Sequence, residues 1–397
     1  PGASAVVLNR ILDQNPSTIY GSISANGQVF LINARGILFA ESAQINVGGL
    51  LASGLDMSVE DFMAGRYKLA ANGLPGAVIN HGVIAAAAGG SVALVGGQVV
   101  NTGLIRAHYG RVTLAGAEAG YIDFDGDGLM RFEVTGELQQ KLEGADAAVT
   151  NTGVIQAAGG EVILQAAAAR GIFDQLVNNE GRIEAGAISI EGGVVRLVAA
   201  GGDVINTGTI VVSSEQEPGG QVHIEAVDGD ILSTGTIEAT SIAQSGGFVE
   251  LVSNADTILN GGMVDAGSVE GVGGTIHVLG NRVAVMGPVR LGSTGGIGGG
   301  TILIGGDFQG RNPLVRNATR TYVGPDAEID VSALNSGAGG RVIVWSEEYT
   351  AFYGTVSARG PPGGIGGFVE VSSRDVLLFA GSADVGSVGG ALGTVLL

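Results

Sequence analysis

Cysteine is absent from all 397 residues, so the chain has no disulfide framework and no Cys nucleophile. A chain free of disulfide loops also suits passage through a membrane pore in the unfolded state, where a closed loop would jam. Basic residues are scarce: 19 Lys and Arg stand against 38 Asp and Glu, for a net charge of −19. That surface repels phosphate backbones and argues against a nucleic-acid partner. It favours solubility and attracts cations. No apolar run approaches the roughly 18–20 residues of a membrane span, because charges or turn residues interrupt each one. A basic and apolar leader is also missing at Pro1, so any signal peptide is expected to have been removed or left out.

Glycine is what the chain has in abundance, 72 residues of it, without the one-in-three spacing of collagen. At 45% hydrophobic the sequence is too apolar for a disordered glycine-rich linker. Short runs of Val, Ile, Leu and Ala are broken by Gly-Gly, Asn-Gly and Asn-Thr-Gly, which reads as many short strands joined by tight turns.

The runs repeat. A Gly-Gly-x-Val/Ile motif starts at Gly192, Gly219, Gly246 and Gly273, each 27 residues after the last. It recurs at Gly299, Gly339 and Gly366, and earlier at Gly89 and Gly159. A second motif, Asn/Ser-x-Gly-x-Ile/Val, begins at Asn80, Asn101, Asn151, Asn179, Asn206, Ser233 and Asn260, and its last four members are again 27 apart. In Gln221-Val222-His223-Ile224-Glu225 apolar and polar residues alternate, which puts Val222 and Ile224 on one face and His223 on the other. One such strand cannot bury its inner face alone, but the equivalent strand of the next repeat can cover it. The chain is therefore expected to be all-β, a parallel β-helix (β-solenoid). About 15–18 coils at about 4.8 Å each would make a rod about 70–85 Å long. Glycine is expected at corners that need positive φ or close backbone approach, and the turn Asn residues are expected to tolerate the left-handed region and to stack as a ladder.

The series breaks near 117–146 and again over 305–335, and both stretches are expected to be excursions from the coil. The expected organisation is an N-terminal cap over 1–69, coils over 70–304, the 305–335 excursion, and further coils over 336–397, cut short by the fragment's end. Two helices are expected. One follows the capping-box residues Ser58-Val59-Glu60-Asp61, and the other lies within Gly136 to Ala145.

The first sixty residues carry a more specific pattern. It runs from Asn9-Arg10-Ile11 and Asn15-Pro16-Ser17-Thr18-Ile19-Tyr20-Gly21 through Gly27-Gln28-Val29-Phe30-Leu31-Ile32-Asn33-Ala34-Arg35-Gly36-Ile37-Leu38-Phe39 to Gln44-Ile45-Asn46-Val47-Gly48-Gly49-Leu50-Leu51-Ala52-Ser53. This resembles the N-terminal secretion domain of filamentous-haemagglutinin-like exoproteins, exported by the two-partner secretion pathway of Gram-negative bacteria. The family's Asn-Pro-Asn-Gly-Ile/Leu motif stands here as Asn33-Ala34-Arg35-Gly36-Ile37, with Asn, Gly and Ile kept. The resemblance implies a right-handed β-helix with an N-terminal cap, and an outer-membrane β-barrel transporter as partner. It also implies a secreted or cell-surface adhesin that binds glycans or surface receptors.

Other constellations read as structural. Asp123, Asp125 and Asp127 with Gly128 match half of a calcium loop, but Val134 stands where its last Glu belongs, which favours a polar turn. His223 and His277 share an outward column with Glu250 between them and Arg196 one coil earlier. Two coils, about 9.6 Å, separate the histidines, too far to share one zinc ion, so a charge ladder is expected. His81 and His108 have no evident partners. Arg311, Arg316, Arg320 and Tyr322 form a basic and aromatic segment that reads as a solvated loop, or as a site for an acidic glycan. No catalytic, metal or cofactor residues are assigned. A carbohydrate-active enzyme, a polysaccharide lyase or hydrolase on the same fold, is the alternative, and its carboxylates would need to cluster on adjacent coils.

Overall fold

The computed structural model describes residues 2, 5–124, 128–187 and 192–397. Each coil contributes three short strands that pair in parallel with those of the next coil. Val6–Ile11, Ser17–Ile19 and Ser22–Ser24 lie in register under Gln28–Asn33, Ile37–Phe39 and Gln44–Val47. The same three faces recur along the chain, which is a parallel β-helix. It divides into two compact units, Pro1–Ala185 with Val195–Gly208, and Gly186–Val194 with Thr209–Leu397.

In the second unit the alternation of the sequence becomes a stacked core. Val222, Val249, Ile276, Ile302, Val342 and Val369 are register partners from coil to coil, and all are fully buried. Burying each such side chain is worth about 1.5–3 kcal/mol. The Gly-Gly pairs sit where one coil turns onto the next. A Cβ on Gly247 would overlap the carbonyl oxygen of Gly220, so close backbone approach, not positive φ, demands glycine there.

Excursions cover the outer side of the first face where that side is apolar. In the first unit Phe30, Ile32, Leu51, Ala93 and Val95 would otherwise face solvent. They are covered by a helix, Val59–Met63, and by a three-stranded antiparallel sheet of Tyr67–Ala70, Ala119–Phe124 and Met130–Gly136. In the second unit the segment from 305 to 319 covers Leu303, Ile343 and Trp345 with Val315. Its backbone is held by Glu370, a fully buried carboxylate that accepts from Gln309 N at 3.2 and 3.3 Å and from the Ser372 hydroxyl at 2.5 Å.

Ser58 caps the expected first helix, accepting from Asp61 N at 2.9 Å. Four other expectations are corrected. Residues 136–145 form no helix. Leu138 is fully buried and bridges Ala168, accepting from Ala169 N, and that tertiary pairing overrides helix propensity. The coil begins at Val6, inside the segment expected as a cap over 1–69, because Val6–Ile11 already pairs along the whole of Gln28–Asn33. The second excursion ends at Thr319, not 335. Arg320–Val323 and Glu328–Asp330 are coil strands, anchored by buried Thr321, Val323 and Ile329. Among the described residues seven first-face strands fall in each unit, counting Val194–Ala200 with the first, fewer than the expected coil number. The excursions consume chain without adding coils.

Candidate functional site

Asn33 ends the Gln28–Asn33 strand with the inward parity of Val29 and Leu31, and it is completely buried. A buried amide must be hydrogen-bonded. Its Nδ2 donates to Asn15 O at 3.1 Å and to Ser17 Oγ at 2.9 Å, and its Oδ1 accepts from Arg35 N at 2.9 Å. Asn33 thus ties the corner of the first coil to that of the second. Gly36 closes the turn, donating from its N–H to Asn33 O at 2.9 Å. Its φ is +115°, and a Cβ would lie 2.8 Å from Ala77 O, so two separate constraints require glycine. Ile37 is buried in the core.

Ala34 is half-buried, and Arg35 is the exposed member of the motif. The Arg35 guanidinium donates to Gln14 Oε1 at 3.0 Å. Gln14 lies in a loop shaped by Asp13, whose Oδ1 accepts from Gln14 N at 2.6 Å, and flanked by exposed Leu12. The five residues therefore divide into a buried frame of Asn33, Gly36 and Ile37 and a displayed Arg35. The sequence alone did not reveal this division, because the inward parity of Asn33 depends on where the strand ends. A further clasp also escaped notice: Arg10 grips Asp56 with two hydrogen bonds of 2.8 and 2.7 Å, joining the first coil to the start of the excursion. Each partner holds the other's charge, so the Asp56 carboxyl titrates below its ordinary range and Arg10 above its own.

The turn asparagines form a buried ladder. Asn80, Asn101, Asn151, Asn179 and Asn206 are wholly inside, each Nδ2 donating to the next Oδ1 at 2.8, 2.8, 2.9 and 2.9 Å. None has positive φ, which corrects the left-handed reading: they end strands and satisfy one another. In the second unit Ser233 is buried, and its register partner is buried Leu259, so Asn260 of the repeated motif falls one residue beyond the ladder and is exposed.

The outward column of the second unit is a charge ladder. His223, Glu250 and His277 are register partners. Glu250 lies 3.0 Å from His223 Nδ1 and 3.3 Å from His277 Nδ1. Hydrogen bonds from the two histidines hold the Glu250 carboxyl down at about 2, and Glu250 raises the His223 imidazole above its ordinary value. In the first unit Glu161 is similarly shared by Arg111 at 2.7 Å and Arg196 at 3.4 Å. Among the described residues no group of three or more His, Cys, Asp or Glu is arranged to hold a metal ion.

The remaining candidates do not converge. Asp123 pairs across the hairpin with Arg131, while Asp125 and Asp127 lie outside the described residues. His81 contacts Thr102 Oγ1 at 2.6 Å. Arg316 bonds Asn254 at 2.8 and 3.2 Å, Arg320 pairs with Glu348 at 3.3 Å, and Tyr322 packs on Tyr353, so each serves a local contact. No helix among the described residues is long and apolar enough to cross a membrane.

Comparison with known proteins agrees with this geometry. Two proteins named heme/hemopexin-binding protein, from Haemophilus influenzae, are 44% and 42% identical over 57 residues, which is 14% of this chain and 6% of theirs. The crystal structure of the HMW1 secretion domain from Haemophilus influenzae shares the fold, with a TM-score of 0.53 at 24% identity, covering 99% of this chain and 87% of that one. The family model of the TPS secretion domain matches residues 1–212, which contain the buried Asn33 frame and the asparagine ladder. The chain belongs to the TPS secretion domain family and is an exoprotein of two-partner secretion.

Proposed function

We propose that the corner displaying Arg35 is read by the partner transporter in the outer membrane, and that the coils beyond it form an adhesive module. The observation that carries the first part is the split within the motif. Asn33, Gly36 and Ile37 are consumed by folding, and Arg35 with Gln14 remains for a partner to contact. Arg suits that role, since its planar fork can make two parallel hydrogen bonds to a carboxylate. The adhesive reading is supported by the rigid outward columns, which present side chains in register about every 4.8 Å to a repetitive ligand such as a glycan, or to a surface receptor. Display outside a Gram-negative cell accords with the family.

The test is secretion with the cognate transporter, measured as protein in the supernatant against protein retained in the periplasm. Arg35→Glu should cut secretion while the purified variant unfolds at the wild-type temperature. Asn33→Ala should cut secretion together with stability. Normal secretion of Arg35→Glu would remove the recognition role. Saturable binding of the secreted protein on a glycan array or to host cells would support the adhesive part, and binding to neither would reject it.

A further inference from the structure

We infer that Tyr322, Tyr349 and Tyr353, on the second face of the second unit, form a stacking platform for an uncharged glycan, an assignment that rests on the adhesive role proposed above. The chain has seven tyrosines, and these three fall close together on one face. Arg320–Val323, Tyr349–Phe352 and Val376–Phe379 are successive strands of that face. On the first face, outward apolar clusters lie beneath excursions. Here Tyr322 and Tyr349 stay open to solvent, at 37% and 39% exposure, and Tyr353 is half-buried.

The rings are fixed in place. Tyr322 leans over Gly324, where a Cβ would lie 3.4 Å from its ring, and it packs on Tyr353 of the next coil with ring centroids 5.8 Å apart. Tyr322 is in register with Ala351, and Ala351 with Leu378. Ala351 has the outward parity of Tyr322, yet it is only 2% exposed. Its neighbours on the face, Tyr322, Tyr349, Tyr353 and Leu378, close over its methyl group. The surface is therefore filled, a flat array and not a hollow. Tyr322 and Tyr349 stand one coil and two residues apart, about 8 Å between Cα atoms, which is room for adjoining rings of an oligosaccharide.

Shape and charge select the ligand. The negative face of an aromatic ring attracts the weakly positive C–H face of a sugar, while the tyrosine hydroxyl is a polar handle for sugar hydroxyls. A cation would need the rings to wall a hollow, and Ala351 fills that space. The charges bordering the platform cancel. Arg282 meets Asp256 at 2.6 Å, Arg320 meets Glu348 at 3.3 Å and Arg374 meets Glu347 at 2.5 Å. Arg316 is held by Asn254, and Asp326 and Asp375 add exposed carboxylates. A phosphate or uronate would therefore meet no uncompensated positive field, whereas a neutral glycan needs none. Arg320 and Glu348, more than half exposed beside Tyr349, offer a donor and an acceptor to the hydroxyls of a sugar lying on the rings.

The test is isothermal titration of residues 1–397 with neutral tetrasaccharides of glucose, galactose, mannose and N-acetylglucosamine, with tetragalacturonate and choline alongside. We expect saturable binding of at least one neutral tetrasaccharide and of neither charged probe. Tyr322→Ala and Tyr349→Ala should each weaken binding about 3–10-fold, with circular dichroism and melting temperature unchanged. Tyr322→Phe should keep most of the affinity, and Tyr121→Ala, at an exposed position of the first unit, should keep all of it. In the unaltered chain, sugar-induced shifts of the Tyr322, Tyr349 and Tyr353 ring resonances should report the same contact, whatever the variants do to folding. Neutral-sugar binding indifferent to Tyr322→Ala and Tyr349→Ala, with those resonances unmoved, would overturn the platform and leave the adhesive role to another surface. Binding of tetragalacturonate or choline alone would overturn the choice of ligand. Binding of none of the probes would overturn the platform, while the adhesive role would still be decided by the array and host-cell measurements.

Discussion

Asn101 occupies the middle of the buried ladder and makes a sharp test of it. Its Oδ1 accepts from Asn80 and its Nδ2 donates to Asn151, both at 2.8 Å. Asn101→Ala removes both bonds. Asn80 Nδ2 is then left with only a long 3.4 Å contact to Gly82 O, and Asn151 Oδ1 loses its donor. Each orphaned buried group costs about 1–3 kcal/mol, so the substitution should cost about 2–6 kcal/mol. That is a large share of the roughly 5–15 kcal/mol by which a domain is stable. Asn260, exposed one residue beyond the ladder in the second unit, is the control, and Asn260→Ala should change stability by less than about 0.5 kcal/mol. Because a repeat array need not unfold as one unit, native-state amide exchange is the suitable assay. Asn101→Ala should accelerate exchange in Gln98–Asn101 and Val149–Asn151, while strands of the second unit keep their rates. Equal effects of the two substitutions would refute the view that the ladder carries stability.

Two further outcomes follow from the outward and inward columns. The Glu250 carboxyl, held down at about 2 against its ordinary 4.5, adds stability that is present above pH 4.5 and lost as pH falls toward 2. The His223 imidazole, raised above 6.5, adds stability present below pH 6.5 and lost as pH rises through its raised value. Thermal unfolding should therefore show a contribution from this cluster that is greatest between about pH 4.5 and 6.5, absent in Glu250→Gln, and a variant with the wild-type pH profile would reject it. Val249→Asp places a carboxylate between Val222 and Ile276 and should destabilise by several kcal/mol in urea titration, whereas Gln221→Ala, on the exposed side of the neighbouring strand, should stay within about 0.5 kcal/mol. Similar values for the two would mean that the inward and outward assignment is wrong.

The coils were legible because their causes are local. Alternation at Val222 and Ile224 and the 27-residue recurrence of Gly-Gly both follow from one strand needing its neighbour's inner face. The ion ladder at His223, Glu250 and His277 was legible for the same reason, since equal spacing makes register partners. What was not legible depends on contacts between distant segments. Leu138 sits in a good helix-forming run, but its pairing with Ala168 decides its conformation. The end of the second excursion was misplaced because charge and aromatic content mark Arg320 and Tyr322 as loop-like, while buried Thr321 and Val323 hold that segment in the coil. One available signal was missed. Phe30, Leu51, Leu303 and Ile343 are apolar at positions whose parity points outward, and each lies under an excursion.

The same locality bears on export. A strand of the second unit finds a partner about one repeat back along the chain, as Phe248–Ser253 does on Gln221–Ala226. A coil can therefore close as soon as the next has emerged from a pore, without waiting for a distant segment. The loop to be ordered is short, and its closure entropy is correspondingly small. The first two coils are held by side chains as well. The Asn33 side chain reaches back to Asn15 and Ser17, and Asp56 bonds Arg10. Those ties make the first two coils and the first excursion one cooperative piece. A stacked array can begin folding at any repeat, and these ties make the corner of Asn33–Ile37 one place where it can begin. Arg35, bonded to Gln14 across that corner, takes its displayed position as the corner folds.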